Sequence, residues 1–239
     1  MSYSLFIGFD TRESEAYDVC AYSAKKRSSK PLEIHPIRLD SLRGLGLYTR
    51  KTEQRGHQMW DTISDAPMST EFAISRFLTP HLSQTEWAVF CDCDFLWLDD
   101  IQKLFTLADP RYAVMCVQHN HTPTETQKMD GQAQVLYARK NWSSLMLFNC
   151  KHPSNKALTL DVINSVPGRD LHRFFWLKDE EIGALPAGWN WLEGHSDPAI
   201  APHVVHYTRG GPWFEHMKDC AYAKEWLFER DEMKHQRSA

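Results

Sequence analysis

Two acids, Asp92 and Asp94, stand at the end of the apolar run Trp87 to Cys91, in the stretch FCDCDFLWLDD. In an extended chain side chains alternate, so both carboxylates point one way while Cys93 points back toward the protein. Two residues of rise separate the acids by roughly 6.5 Å, near enough for both to serve one hydrated divalent ion. Acids at strand ends are also turn formers and helix caps, and the tripeptide alone leaves both readings open. A further candidate ligand comes late, in HVVHYTRGGPWFE, where His203 to Tyr207 reads as a short strand delivering His206. Imidazole tips an oxygen-rich site from magnesium toward manganese. Alone, His206 reads as a packed, hydrogen-bonded histidine; beside the two acids it reads as a third ligand. Gly210 and Gly211 would let the backbone approach a phosphate, with Arg209 available for charge.

These residues need elements to position them. Trp87 to Cys91 has no polar alternation, the pattern of a strand buried on both faces, and in open α/β sheets ligands collect beyond the carboxyl ends of such strands. Leu5 to Phe9 reads as a strand and is followed by Ala16, Val19, Cys20 and Ala24 at helical spacing, with Thr11 as a cap. Glu33 to Ile37 is a second strand, and Leu39 to Pro67 an irregular connection. Ser69 or Thr70 is placed to cap a helix from Glu71 that Pro80 stops. Asp99 and Asp100 open a helix through Leu107. Tyr112 to Val117 and Leu145 to Phe148 are strands, and Asn155 to Val166 and Ala221 to about Met233 are helices. Alternating strands and helices predict an α/β fold in one domain, residues 1–239, with a central, mostly parallel mixed sheet flanked by helices.

Composition narrows the function. The 239 residues are 42% hydrophobic and 24% charged with a formal net charge of -4, so whole-molecule attraction to nucleic acid is not expected and an anionic ligand must be held locally. The N-terminal residues have no signal-peptide pattern and no segment has the length of a membrane span. Six cysteines scattered through apolar runs suit reduced thiols, which predicts a cytoplasmic protein. Cys91 and Cys93 have no second pair nearby, so a zinc site is not expected. The polar stretch from His119, with His121, Lys128 and Gly131, could close over a ligand. Trp189, Trp191, Trp213 and Phe214 could form either sugar platforms or core.

An early strand ending in Asp10, the segment STEFAISRFLTPHL with Arg76, the strand with its D-x-D, and the late His-x-x-x-Gly-Gly-Pro-Trp together resemble GT-A-fold glycosyltransferases, most closely glycosyltransferase family 8. The resemblance implies a retaining transfer from a nucleotide sugar, with UDP expected, to a hydroxyl acceptor. It also implies Mn2+, or else Mg2+, held by Asp92, Asp94 and His206. The donor-contacting set that it implies is Gly8, Phe9, Asp10, Arg12, Arg76, Asp92, Cys93, Gly210, Gly211 and Trp213. NWSSLMLFN resembles the family strand whose final Asn faces donor and acceptor, here Asn149. LKDEEIGALPAGWNWL resembles a segment with an Asp-Gln-Asp core, which puts Asp179, Glu180 and Glu181 at the reaction centre. Glu180 stands where the family has Gln, and the late motif lacks the family's lysine. The rival readings are a haloacid-dehalogenase-type phosphohydrolase, a nucleotidyltransferase, and a nucleotide-sugar-binding module without turnover.

Overall fold

The computed structural model describes residues 3–120, 139 and 141–238. From the N-terminus, β1 (Tyr3–Gly8) leads through a 3-10 turn into α1 (Ser14–Arg27), then β2 (Leu32–Ile37) and α2 (Leu39–Gly44). The stretch expected to be irregular instead folds as β3 (Thr52–Arg55), β4 (Gln58–Asp61) and β5 (Ala66–Met68), an antiparallel meander. Its strands are short and β3 is mostly exposed, so they carry little of the apolar alternation that marks a strand in sequence.

The helix expected from Glu71 begins only as turns and a 3-10 segment, Ser75–Leu78, and its first donor is capped from afar, Glu71 N–H donating to Asp10 Oδ2 at 3.1 Å. Pro80 does not stop it. Pro80 lies in the first turn of α3 (Thr79–Leu82), where a missing N–H costs nothing. Next come β6 (Trp87–Cys91), β7 (Phe95–Trp97) and α4 (Ile101–Phe105), the last capped by Asp100, whose carboxylate accepts from Gln102 N at 2.9 Å. Then follow β8 (Val114–Cys116), β9 (Leu145–Asn149), α5 (Leu160–Ser165), α6 (Gly168–His172), β10 (Ile182–Ala184), β11 (Trp191–Leu192), β12 (Val204–His206) and α7 (Ala223–Ser238). The single helix expected over Asn155 to Val166 breaks at Leu158, because Thr159 caps a new start by accepting from Val162 N.

Among the described residues the central sheet has six strands in the order β10-β8-β9-β6-β1-β2. β1 pairs parallel with β2 and β6, β10 pairs parallel with β8, and β9 runs antiparallel to both β6 and β8. The α/β expectation therefore holds, with one reversed strand in an otherwise parallel sheet. Val89, Phe90, Leu147 and Phe148 are fully buried, and each such side chain stabilises the fold by about 1.5–3 kcal/mol. A second sheet, β11-β12-β7, shares a smaller apolar cluster with α1 and α7. There Glu229, buried on α7, takes ion pairs from Lys26 and Arg27 of α1. No helix among the described residues is long and apolar enough to cross a membrane.

Candidate functional site

β6 delivers the acidic pair. Its apolar side chains fix it in the middle of the sheet, and the chain turns directly after Cys91, so Asp92 and Asp94 sit in a bend rather than on an extended strand. β7 then begins at Phe95 and pairs antiparallel with β12 in a register that sets His206 opposite Phe95. Tyr207 N–H donates to the Asp94 carbonyl at 2.9 Å and locks that register at its end. An imidazole from more than a hundred positions later thus arrives beside the aspartates, with His206 Nε2 3.4 Å from Asp94 Oδ1. All three side chains are buried, and each offers a ligand atom within 4.8 Å of the others. Ligands on opposite sides of one divalent cation, each at about 2.0–2.6 Å, span such a distance. Two carboxylates and an imidazole are a donor set that suits manganese or magnesium, so the residues present fit the ion that the resemblance implies.

Arg76 is no surface arginine. It is 5% exposed and reaches Asp92 Oδ1 with Nη1 at 2.7 Å, while Nε and Nη1 also donate to the carbonyls of Ala73 and Ser143. Two carboxylates beside one guanidinium leave a single negative charge, which a divalent ion would turn into a single positive one. A cavity of about 370 Å3 opens beside the cluster, within the range of about 300–1,000 Å3 typical of small-molecule sites. Arg76, Asp92, Ser143, Ser144 and His206 line it, together with Asp61, Ser64 and Met68 of the meander and Gly168, Arg169 and His172 of α6. The meander wall is braced by a buried ion pair between Arg50 and Asp61. Arg50 also donates to the carbonyls of Ile163 and Val166, and Ser64 Oγ accepts from Gly168 N at 2.8 Å, tying the wall to α6.

The other expected residues divide. Gly8, Phe9, Asp10 and Arg12 reach the same sheet edge, where each makes contacts within the chain. A Cβ on Gly8 would meet the Phe72 ring at 2.4 Å, so packing already fills the space above it. Arg38 covers the Phe9 ring, its guanidinium carbon 3.4 Å from the centroid. Asp10 is fully buried and accepts from the backbone of Arg12 and Glu71 and from the Arg12 guanidinium; burial pushes its carboxyl up, yet those donors hold it below its ordinary value. Arg12 in turn donates to the carbonyl of Ser69 on the cavity rim at 2.8 Å. Cys93 points inward to Glu13 at 3.6 Å, and burial pushes its thiol well up, so it offers no side chain to a ligand.

Gly210 and Gly211 do not line the cavity. Gly210 takes a φ of +108° in the turn after β12, and Gly211 packs against Trp213, which itself sits against Tyr207 and Trp226. Arg209 pairs with Glu193 at 3.1 Å. Trp189 and Trp191 belong to the core. His121, Lys128 and Gly131 lie outside the described residues.

Asn149, Asp179, Glu180 and Glu181 are not brought to the Asp92–Asp94–His206 cluster; they lie toward the other end of the sheet. β9 is antiparallel to β6, with Trp87 opposite Asn149 and Cys91 opposite Leu145, so Asn149 lies at the start of β6, a strand's length from Asp92. The start of β9 is what meets the cluster, through Ser143, Ser144 and Asn141. Asp179–Glu181 precedes β10, whose first residue pairs with Val114 at the start of β8, again the far edge. There Glu181 accepts from Ser154 and its carbonyl accepts from Ala113 N, while Asp179 is exposed and pairs with Arg139. Asn141, Asn190 and the residues of α6 went unnoticed in the sequence. Asn190 had a signal, a polar residue inside the aromatic run GWNWL, which must find partners when buried.

No family model matches the chain. Among solved structures it is similar to the bifunctional glycosyltransferase WbbM (TM-score 0.62, 13% identity, 96% of this chain and 49% of that one). It is also similar to the glycosyltransferase GlyE of Streptococcus pneumoniae (TM-score 0.61, 12% identity, 96% and 60%). A third similar structure is the galactosyltransferase LgtC with donor and acceptor sugar analogues (TM-score 0.58, 11% identity, 96% and 95%). The chain thus spans about half the length of the first and 60% of the second. The fold is therefore of the GT-A glycosyltransferase type, not that of a haloacid dehalogenase. By sequence the chain is 53% identical over 236 residues to Protein CDI of Arabidopsis thaliana, across 96% of this chain and 86% of that protein, and it belongs to the same family.

Proposed function

We propose that the chain is a metal-dependent glycosyltransferase, akin to family 8, that moves a hexosyl group from a UDP-sugar to a carbohydrate hydroxyl with retention. The observation that carries this reading is the cluster of Asp92, Asp94 and His206 at the carboxyl edge of a GT-A-type sheet, opening into a cavity of ligand size. A divalent ion held there would supply Lewis acidity to the departing diphosphate. The chain's own residues do the rest. Arg76 orients Asp92 and adds a fixed positive charge behind it, and the buried surroundings strengthen that charge's hold on phosphate oxygens. Asn141 and α6 line the same cavity as Asp92 and His206 and would frame the sugar and its acceptor.

Retention is the outcome that the resemblance to family 8 carries. The acceptor hydroxyl would then pass its proton to the leaving diphosphate on the same face of the sugar. Six free cysteines support a reducing, cytoplasmic setting.

A thermal-shift series with nucleoside diphosphates, with and without Mn2+, tests the site, since a ligand that binds only the folded state raises Tm. UDP should do so only when the metal is present. Release of UDP from UDP-sugars, with and without acceptor sugars, then separates an enzyme from a module that only binds. No shift with any diphosphate and metal pair would sink the reading.

A further inference from the structure

Asn190 is fully buried, carries no charge and touches the imidazole of the cluster. It closes the 3-10 turn Ala187–Asn190 that leads into β11, and the turn is pinned where His203 N–H donates to the Gly188 carbonyl at 2.8 Å. Its amide has three partners. Nδ2 donates to Ser144 Oγ at 2.9 Å and to the Asn141 carbonyl at 3.3 Å, and Oδ1 lies 3.0 Å from His206 Nδ1.

Hydrogen accounting settles which way each group points. The Asn141 carbonyl can only accept, and Ser144 Oγ gives its one proton to that same carbonyl at 2.7 Å. Both therefore require N–H donors from Asn190, which turns the amide oxygen toward His206. An oxygen there can only accept, so Nδ1 must carry the proton. The ring is also clamped from its face by Phe95, at 4.3 Å between centroids and 18° between planes. Nε2 is then left directed at the carboxylate of Asp94.

We propose that Asn190 is a positioning residue that fixes the Nδ1–H tautomer and ring orientation of His206, so that Nε2 presents an electron pair to a divalent ion shared with Asp92 and Asp94. This rests on the reading of those three residues as metal ligands. Partners of this kind on the remote nitrogen of a ligating histidine set its tautomer and raise its basicity. The same amide joins the ligand to the Asn141 turn on the cavity wall, so metal site and cavity share one hydrogen-bond chain.

The test has two arms. Long-range 1H–15N correlation spectra of the protein should show a proton on Nδ1 of His206, assigned with H206Q. A ring with no proton on Nδ1 in the wild type overturns the proposal. In the second arm, Mn2+ affinity is read by electron paramagnetic resonance for N190A and N190D. N190A should bind Mn2+ about 10–100-fold more weakly, the range found for such outer partners. N190D keeps an acceptor for Nδ1–H but loses both donors. It should therefore lose thermal stability like N190A yet escape the about 10–100-fold loss of Mn2+ affinity. Affinity that falls in step with stability in both variants, or that is unchanged in N190A, overturns the proposal. Wild-type protein that binds no Mn2+ at all would refute the metal site instead, and the tautomer spectra would still decide what Asn190 does. Should neither variant fold, the wild-type spectra decide alone.

Discussion

The two edges of the central sheet carry similar residue types and face different physical situations. At the carboxyl edge of β6 the acids Asp92 and Asp94 are buried, one against Arg76 and the other against His206, beside a cavity. At the opposite edge Asp179 is exposed and paired with Arg139, while Glu181 is spent on Ser154 and a helix-start contact with Lys178 N. The first edge holds charge out of water, where an incoming cation or phosphate meets little screening. The second lies in solvent, where ion pairs are worth about 0–1 kcal/mol. Acid content alone does not make a site; confinement does.

The sharpest way to break this contrast is Asp94→Ala. It should lower metal-dependent UDP release by about 10²–10³-fold, the several kcal/mol that a Lewis acid contributes, with the circular dichroism spectrum unchanged. Full activity in saturating Mn2+ would show that the buried edge is not the reaction centre. Next in size is Arg50→Met in the meander wall. It strands Asp61 without its partner and should cost about 3–5 kcal/mol in urea unfolding; a loss under about 1 kcal/mol would mean that the wall is not braced there.

Acid titration sharpens the same point. Burial raises the Asp61 carboxyl, but Arg50 and Ser64 more than compensate and hold it below its ordinary value of 3.8. A carboxyl lowered by folding contributes stability that is fully present above 3.8 and lost as pH falls through its lower folded value. Urea midpoints should therefore drop on acidification, and Asp61→Asn, itself less stable at neutral pH, should show a shallower drop. An identical slope would clear Asp61 of that role. The smallest effects belong to the far edge. Asp179→Ala and Glu180→Ala should change stability by no more than about 0.5 kcal/mol and turnover by no more than about twofold. A loss comparable to that of Asp94→Ala would restore these acids to the reaction.

What was legible before folding follows from how local each signal is. An uninterrupted apolar run announces a doubly buried strand, and the chain length of β6 puts Asp92 and Asp94 at its tip wherever that strand lies. Arg76 was legible by type but not by burial, since its partner comes from another element. The β3–β5 meander escaped because Thr52–Arg55 presents mostly exposed polar side chains. Pro80 misled because a proline that ends one helix and a proline that starts another look alike in sequence. Asn141 and Asn149 flank one strand, and nothing within NWSSLMLFN says which end faces the acids.

The sequence by itself determined the α/β class, the buried strand β6, and the donor types Asp, Asp and His of the candidate cluster, because hydrophobic period and donor chemistry are properties of neighbouring residues. Only the tertiary structure decided that β9 runs backwards, that β12 pairs with β7 so as to set His206 beside Asp94, and that Asn190 rather than a charged residue holds the imidazole. Strand direction and register are settled by burial and backbone pairing across the whole sheet, so no short segment carries them.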